Sequence, residues 1–267
     1  MSMRYVSLLL LLALCAFFGF AQKPGKGPAA RSALYPSSSN NVIPHLTHGA
    51  NWQSTLIIMN VSTEPSFYRI KFYSPDGAEA KFRTQSEGDV HELSGTLLPG
   101  GSKRIKSIVD DSAQETRYWA EIMEGSGKIQ VTAVFGWRVP GNTPMDVSVP
   151  NVNGYVMDGI YFPFDNTEGY RTALAFANSH QSSESKFKLE ARNEAGISIF
   201  SQEVTLDPRS QTAFILKDEF PQTANQRGVV VLRPVNSNFL PLVTCAPLVL
   251  QFTPEGSITY IPAYDEY

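Results

Sequence analysis

Cysteine, histidine and excess charge are all scarce in this sequence, and each shortage removes a class of protein. Two cysteines among 267 residues cannot build a disulfide framework. Four histidines leave little for a metal centre. With 22 Lys+Arg against 25 Asp+Glu, the net charge of −3 lacks the basic stripe that nucleic-acid binders show, so no nucleic-acid partner is expected. A hydrophobic share of 42% with 18% charged residues fits a globular chain and excludes a disordered tail, a collagen-like rod or a multi-span membrane protein.

The N-terminus carries what the rest lacks. Arg4 supplies a positive start, Val6–Phe18 is an apolar run, and Gly19 and Ala21 are small residues placed for cleavage after Ala21. Residues 1–21 therefore read as a signal peptide. The run is shorter than the about 20 residues that span a bilayer, which sets a retained N-terminal anchor as the rival reading. Lipid attachment at Cys15 is rejected, because Leu14 precedes it where a small residue is needed and the apolar run continues beyond it. The expected destination is secreted, periplasmic or cell-surface, with no membrane insertion after cleavage. Cys245 would then be the remaining cysteine. It lies in the apolar run Leu242-Val243-Thr244-Cys245-Ala246 and reads as a buried small hydrophobe. Residues 22–41 hold three prolines, two glycines, four serines and no acidic residue, the composition of a flexible stem.

Beyond the stem the chain repeats itself. Trp52-Gln53-Ser54-Thr55-Leu56-Ile57-Ile58-Met59-Asn60 matches Tyr170-Arg171-Thr172-Ala173-Leu174-Ala175-Phe176-Ala177-Asn178 at an offset of 118. Tyr68, Ile70 and Phe72 match Phe187, Leu189 and Ala191, and Thr96-Leu97-Leu98-Pro99 matches Thr205-Leu206-Asp207-Pro208. Val131-Thr132-Ala133 then matches Val243-Thr244-Cys245, and Ser148-Val149-Pro150 matches Tyr260-Ile261-Pro262. The order never breaks. The first copy carries extra residues around Thr84–Leu93 and the second around Pro221–Gln226, both polar stretches of the kind surface loops tolerate. A period of about 110 residues suits one domain per copy rather than a solenoid.

Both copies read as β. Lys186-Phe187-Lys188-Leu189-Glu190-Ala191-Arg192 alternates charged and apolar residues, and Arg69-Ile70-Lys71-Phe72 does the same. Turn signals such as Ser74-Pro75-Asp76-Gly77, Pro99-Gly100-Gly101 and Pro254-Glu255-Gly256 separate the runs. Short strands at this spacing predict an all-β chain of two tandem antiparallel β-sandwich domains, seven or eight strands each, over 42–152 and 158–264. One helical turn is expected over Ile215–Phe220, matched by Lys106–Asp111. Pro241 and Pro247 predict an edge position or a bulge for the strand within Leu240–Gln251.

The pattern resembles a family of exported bacterial proteins built from tandem immunoglobulin-like β-sandwich modules. The second copy carries the likeness best, through Phe162-Pro163, Asp165-Asn166-Thr167, Gly169-Tyr170-Arg171-Thr172, Leu206-Asp207-Pro208-Arg209-Ser210 and Phe252-Thr253-Pro254-Glu255-Gly256. The first copy departs from it at Thr84–Leu93 and Arg138-Val139-Pro140-Gly141. The likeness spans about residues 43–264 and implies location and fold; it carries over no catalytic residue.

Candidate chemistry is thin. His45 and His48 are spaced like metal ligands, yet Pro44 argues against a helix and no supporting cluster exists, so a loop is expected there. His91 and His180 fall in polar loops. Gly125-Ser126-Gly127-Lys128 lacks both the first glycine and the hydroxyl residue of a phosphate loop and reads as a β-turn. Ser54, Thr55 and Thr172 have no histidine accompanying both copies, which excludes a duplicated Ser-His site; Asn60 and Asn178 read as strand-end residues. Asp110-Asp111 aside, Asp158, Asp165 and Glu168 near the junction are the Ca²⁺ candidates, although no D-x-D-x-D-G loop is present. Tyr264 and Tyr267 are candidate exposed binding aromatics, while Trp52 and Tyr260 read as core. Neither a catalytic residue nor a cofactor is assigned.

The expectation is a non-enzymatic exported protein that binds a protein or glycan, or scaffolds, through loops and strand edges. Its rivals are a structural subunit that pairs homotypically through Leu240–Gln251, and an enzyme with an interdomain site marked by strongly shifted titratable groups.

Overall fold

The computed structural model describes residues 41–109, 114–124, 128–138, 144–156, 159–235 and 243–265. The leader, the stem up to residue 40, Asp110-Asp111, the Gly125-Ser126-Gly127 turn, Asp158 and Tyr267 lie outside these residues, as do Pro241 and Leu242; Asn41, counted with the stem, opens the first strand. No helix among the described residues is long and apolar enough to cross a membrane.

Strands dominate, as the period-two alternation requires. They are β1 (Asn41–His48), β2 (Trp52–Asn60), β3 (Ser66–Tyr73), β4 (Phe82–Thr84), β5 (Gly88–Val90), β6 (Glu92–Leu97) and β7 (Ser102–Lys106). Then come β8 (Thr116–Glu124), β9 (Ile129–Trp137), β10 (Met145–Pro150), β11 (Val152–Asn153) and β12 (Tyr155–Val156). The second half runs β13 (Ile160–Asp165), β14 (Arg171–Ala177), β15 (Ser185–Asn193), β16 (Ser198–Leu206) and β17 (Gln211–Ile215). A single helical turn, α1 (Leu216–Glu219), leads into a 3₁₀ turn at Pro221–Thr223. The chain closes with β18 (Arg227–Pro234), β19 (Val243–Thr244), β20 (Ala246–Phe252), β21 (Ile258–Tyr260) and β22 (Tyr264–Asp265).

These strands form antiparallel sheets in a sandwich-like arrangement. The first half has a five-stranded sheet ordered β11-β1-β8-β3-β6 and a four-stranded sheet ordered β10-β9-β2-β7. The second half has sheets ordered β22-β13-β18-β15-β16 and β21-β20-β14-β17. Strand for strand the orders agree. Two buried polar locks agree as well. The Asn60 amide donates to the carbonyls of Glu64 and Leu97 while its oxygen accepts from the Ser62 N–H. Asn178 donates to the carbonyls of Ser183 and Leu206 and accepts from the His180 N–H. Ser54 Oγ bonds both the N–H and the carbonyl of Thr47, and Thr172 Oγ1 does the same to Asp165. The hydroxyls singled out in the sequence are thus fasteners between consecutive strands.

Burial follows from the alternation. Tyr68, Ile70 and Phe72 of β3 face inward with charged residues between them, and Phe187, Leu189 and Ala191 of β15 repeat this. The inward residues of the first half form one hydrophobic cluster, which also takes in Ala175 and Leu248 of the second half. A second cluster fills the other sandwich around Phe162, Phe176, Phe187 and Leu232. A third, small one joins Val42, Tyr73 and Trp119 to Ala177 and Ala246. Cys245 is fully buried and unpaired.

The structure corrects three expectations. His45 and His48 lie within β1, not in a loop, because Pro44 and His45 are accommodated by a register shift between Ile43 and Leu46. A proline without an N–H is tolerated at such a bulge. The strand after Pro241 is not an edge: β20 sits between β14 and β21. Pro247 is harmless there because it pairs only with Phe176 of β14, while β21 joins further on, at Leu250 to Phe252. The added residues of the first half are not merely a surface loop either. They form the β4–β5 hairpin, whose Phe82 is fully buried and stacks on Phe72 with ring centroids 4.6 Å apart.

Candidate functional site

The second half's four-stranded sheet explains where a site can form. A sheet with one wet face should alternate, yet β14, after the exposed Arg171 that opens it, reads Thr172-Ala173-Leu174-Ala175-Phe176-Ala177 without a charge. Leu174 and Phe176 point into their own sandwich core, while Ala175 and Ala177 pack against the first half. Both faces are therefore covered, which a continuous apolar strand signals. The small side chains let the two halves approach closely.

The approach is tightest at the turn between β16 and β17. The Gln211 N–H donates to the Pro75 carbonyl at 2.8 Å, and Trp119 Nε1 donates to the Arg209 carbonyl at 2.8 Å. Gly77, at φ +87°, is required here: a Cβ would stand 2.8 Å from the Pro208 carbonyl oxygen. Trp119 stacks on Tyr73 at 4.6 Å, and the Arg209 guanidinium lies 5.2 Å from the Tyr73 ring centre. Glu121, 8% exposed, sits behind this pair; burial raises its carboxyl pKa, and the Arg209 charge works against that rise.

Beside this contact the halves do not close completely. A pocket of about 180 Å³ remains, half open to solvent and mainly apolar. Trp52, Phe135 and Val147 wall it from the first half, and Ala213, Phe214 and Leu250 from the second. Its polar end is His45, Thr47, Glu115 and Arg117. Glu115 Oε1 accepts from Arg117 Nε at 3.0 Å and from Thr47 Oγ1 at 3.4 Å, so the two charges are matched within the wall.

His45 is brought to this place by the β1 bulge, a device that re-aims side chains. Its ring lies 5.9 Å from that of Phe135. Its Nδ1 is 3.0 Å from Gln211 Nε2 of the second half. With the amide nitrogen donating to Nδ1, the neutral ring carries its proton on Nε2. Burial lowers the His45 pKa from 6.5 to about 4; Glu115 opposes the shift and Arg117 adds to it. At neutral pH the pocket therefore holds an uncharged imidazole whose other nitrogen is a donor. Sequence reasoning weighed His45 as a ligand of a metal; the signal for its actual place was the Pro44-His45 pair inside a strand-like run.

The other candidates are scattered. Asp165 spends Oδ1 on the N–H and hydroxyl of Thr167, a turn-closing role, and Glu168 is exposed at φ +49° in the same turn. Among the described residues no three His, Cys, Asp or Glu side chains are grouped to hold a metal ion. Tyr264 is 58% exposed on β22, at the rim of the second five-stranded sheet. Trp52 and Tyr260 pack against the first core cluster. His48 stacks on Tyr118 at 5.2 Å and belongs to the interior.

Comparison with protein-family models, with curated proteins and with solved structures returned no match for this chain.

Proposed function

We propose that the chain is an exported, non-enzymatic binding protein of two tandem immunoglobulin-like β-sandwich modules, acting at the cell surface or outside the cell. The observation that carries this reading is the apolar pocket built jointly by both halves, whose one strongly shifted group, His45, has its basic nitrogen already occupied by Gln211. Ser54 and Thr172, the hydroxyls nearest to a nucleophile pattern, are spent on backbone fastening. A protein partner is favoured over a glycan, because the aromatic rings here turn inward instead of forming an exposed stacking platform.

The test is immobilisation of the purified protein against a peptide array and a glycan array, with N-terminal sequencing of the protein recovered from cell envelope and medium. Retention of apolar peptides by a chain beginning at Gln22 is expected. Retention of glycans alone, or recovery from the cytoplasm with residues 1–21 intact, would overturn the reading.

A second reading, a structural subunit, draws on a different strand from the one the sequence suggested. β16 is a nine-residue edge with β15 on one side only, carries no proline, and leaves mostly exposed residues along its length. Light scattering at rising concentration tests it: concentration-dependent association lost in a Val204→Pro variant supports edge pairing, and a constant monomer excludes it.

A further inference from the structure

The pocket itself indicates the chemistry of its occupant. An enclosed apolar cavity of about 150 Å³ takes one benzene ring, and this pocket, which opens to solvent, offers a comparable volume of about 180 Å³. Its walls include Trp52, Phe135, Phe214 and Phe252, rings to which another ring can pack edge-on. The space is there because of residue size. Ala173 and Ala213 stand on the second half where the first half, at the same sheet positions, has Thr55 and Arg104. Glu115 and Arg117 neutralise one another, so nothing in the wall calls for a charged ligand. His45 is half-buried: its Nδ1 is engaged by Gln211, and its Nε2 donor has no protein partner among the described residues and is not sealed from water.

Resting on the binding reading above, we propose that the pocket receives one aromatic side chain of a partner peptide, with an adjacent peptide carbonyl accepting a hydrogen bond from His45 Nε2. The ring supplies the buried apolar area, and the carbonyl takes up the donor that His45 Nε2 offers at the polar end. An aliphatic or charged side chain would leave either the ring-lined volume or the donor poorly used.

The experiment titrates the full-length purified protein with N-acetyl-phenylalaninamide, N-acetyl-alaninamide and toluene, following Trp52 fluorescence and confirming with proton NMR line broadening. Saturable binding of the phenylalanine probe is expected, stronger than toluene and with none from the alanine probe. His45→Leu should weaken the phenylalanine probe about five- to tenfold relative to toluene, the value of one neutral hydrogen bond. Ala213→Leu should abolish both, and Ala173→Val serves as a second filling variant should the first not fold. Equal affinity for toluene and the phenylalanine probe, or indifference to His45→Leu, overturns the carbonyl contact and the peptide occupant while leaving a binding pocket. Failure of every aromatic probe to saturate, or binding indifferent to both filling variants, overturns the pocket as the contact site altogether.

Discussion

The outer faces of the two four-stranded sheets occupy the same place in the same strand order, yet their residues differ in kind. In the second half the face presents Ala173, Ala175 and Ala177 from β14, Ala213 and Ile215 from β17, and Leu248 and Leu250 from β20. The first half presents Thr55, Ile57 and Met59, flanked by Arg104 and Lys106 on one side and Gln130 and Thr132 on the other. The neighbouring half buries Ala175, Ala177 and Leu248 of the one face, whereas on the other Ile57 and Met59 are half-exposed and Arg104, Lys106 and Gln130 reach water. The backbone plan is therefore common to both, and side-chain size and charge alone decide which copy docks onto which. The turn after Pro99 and its match Pro208 teaches the same lesson. Gly100, at φ +69°, sits where the second half has Arg209 at φ +57°, a conformation costly for a residue with a side chain. The second half bears that cost at the point where Arg209 meets Tyr73 and Trp119 of the first.

The largest consequence concerns charge on these faces. Ala175→Arg should destabilise the protein by about 4 kcal/mol or more, because it overfills a tight contact and buries an unpaired charge. The matching Ile57→Arg change, on the half-exposed face beside Arg104, should cost less than about 1 kcal/mol. Urea denaturation of both variants measures the difference; equal losses would erase the asymmetry on which the comparison rests.

Acid should act on one half of the junction more than on the other. The neutral His45 form is favoured in the folded state, with its pKa depressed to about 4 from 6.5. The unfolded chain therefore binds more protons between these values, and stability falls as pH drops from about 6.5 to about 4, by up to about 3 kcal/mol. Glu121 works in the opposite sense, since its raised pKa lets the folded state hold a proton more readily and favours folding as pH falls toward 4.5. Comparing the pH dependence of melting for the wild type with that of His45→Gln isolates the histidine. The variant should show the flatter acid limb, and a limb unchanged by the substitution would remove His45 from the account.

A smaller and symmetrical effect is expected at the strand-end locks. Asn60→Ala removes the donor shared by two carbonyls and Asn178→Ala the donor shared by three, and each should cost about 2 kcal/mol. Similar losses would sharpen the equivalence of the two halves in denaturation experiments. A loss confined to one of them would break it.

Much of this architecture was legible in the sequence, for physical reasons that also mark where legibility stopped. Alternation of charged and apolar residues in Lys186–Arg192 determines which side chains of β15 face the core, since a strand has a period of two. The repeat located the two asparagines and the Ser54/Thr172 pair because backbone fastening needs the same short polar group at the same strand position. The helical turn at Leu216–Glu219 followed from the short apolar and charged run expected over Ile215–Phe220. Contacts between halves were not legible, because small apolar residues such as Ala175 and Ala213 look alike whether they fill a core or face a neighbour. The place of His45 was missed for a related reason: a bulge is a matter of register between two strands distant in sequence, and Pro44 read locally suggests a break. Phe82 was hidden just ahead of the polar insertion, where one apolar residue gave no periodic signal.

The account stands or falls on whether the outer face of the second four-stranded sheet is covered by the first half at Ala175 while its counterpart at Ile57 is open. Single cysteines placed at the two equivalent positions, Ala175→Cys and Ile57→Cys, report this directly under native conditions with a thiol-reactive dye. With Cys15 replaced by serine, Cys245 provides a quiet background, since it is fully buried and burial pushes its thiol pKa up. The account predicts that the cysteine at position 57 reacts readily and the one at position 175 does so at least about tenfold more slowly, as sub-global opening must precede it. Equal and rapid labelling at both positions would contradict it.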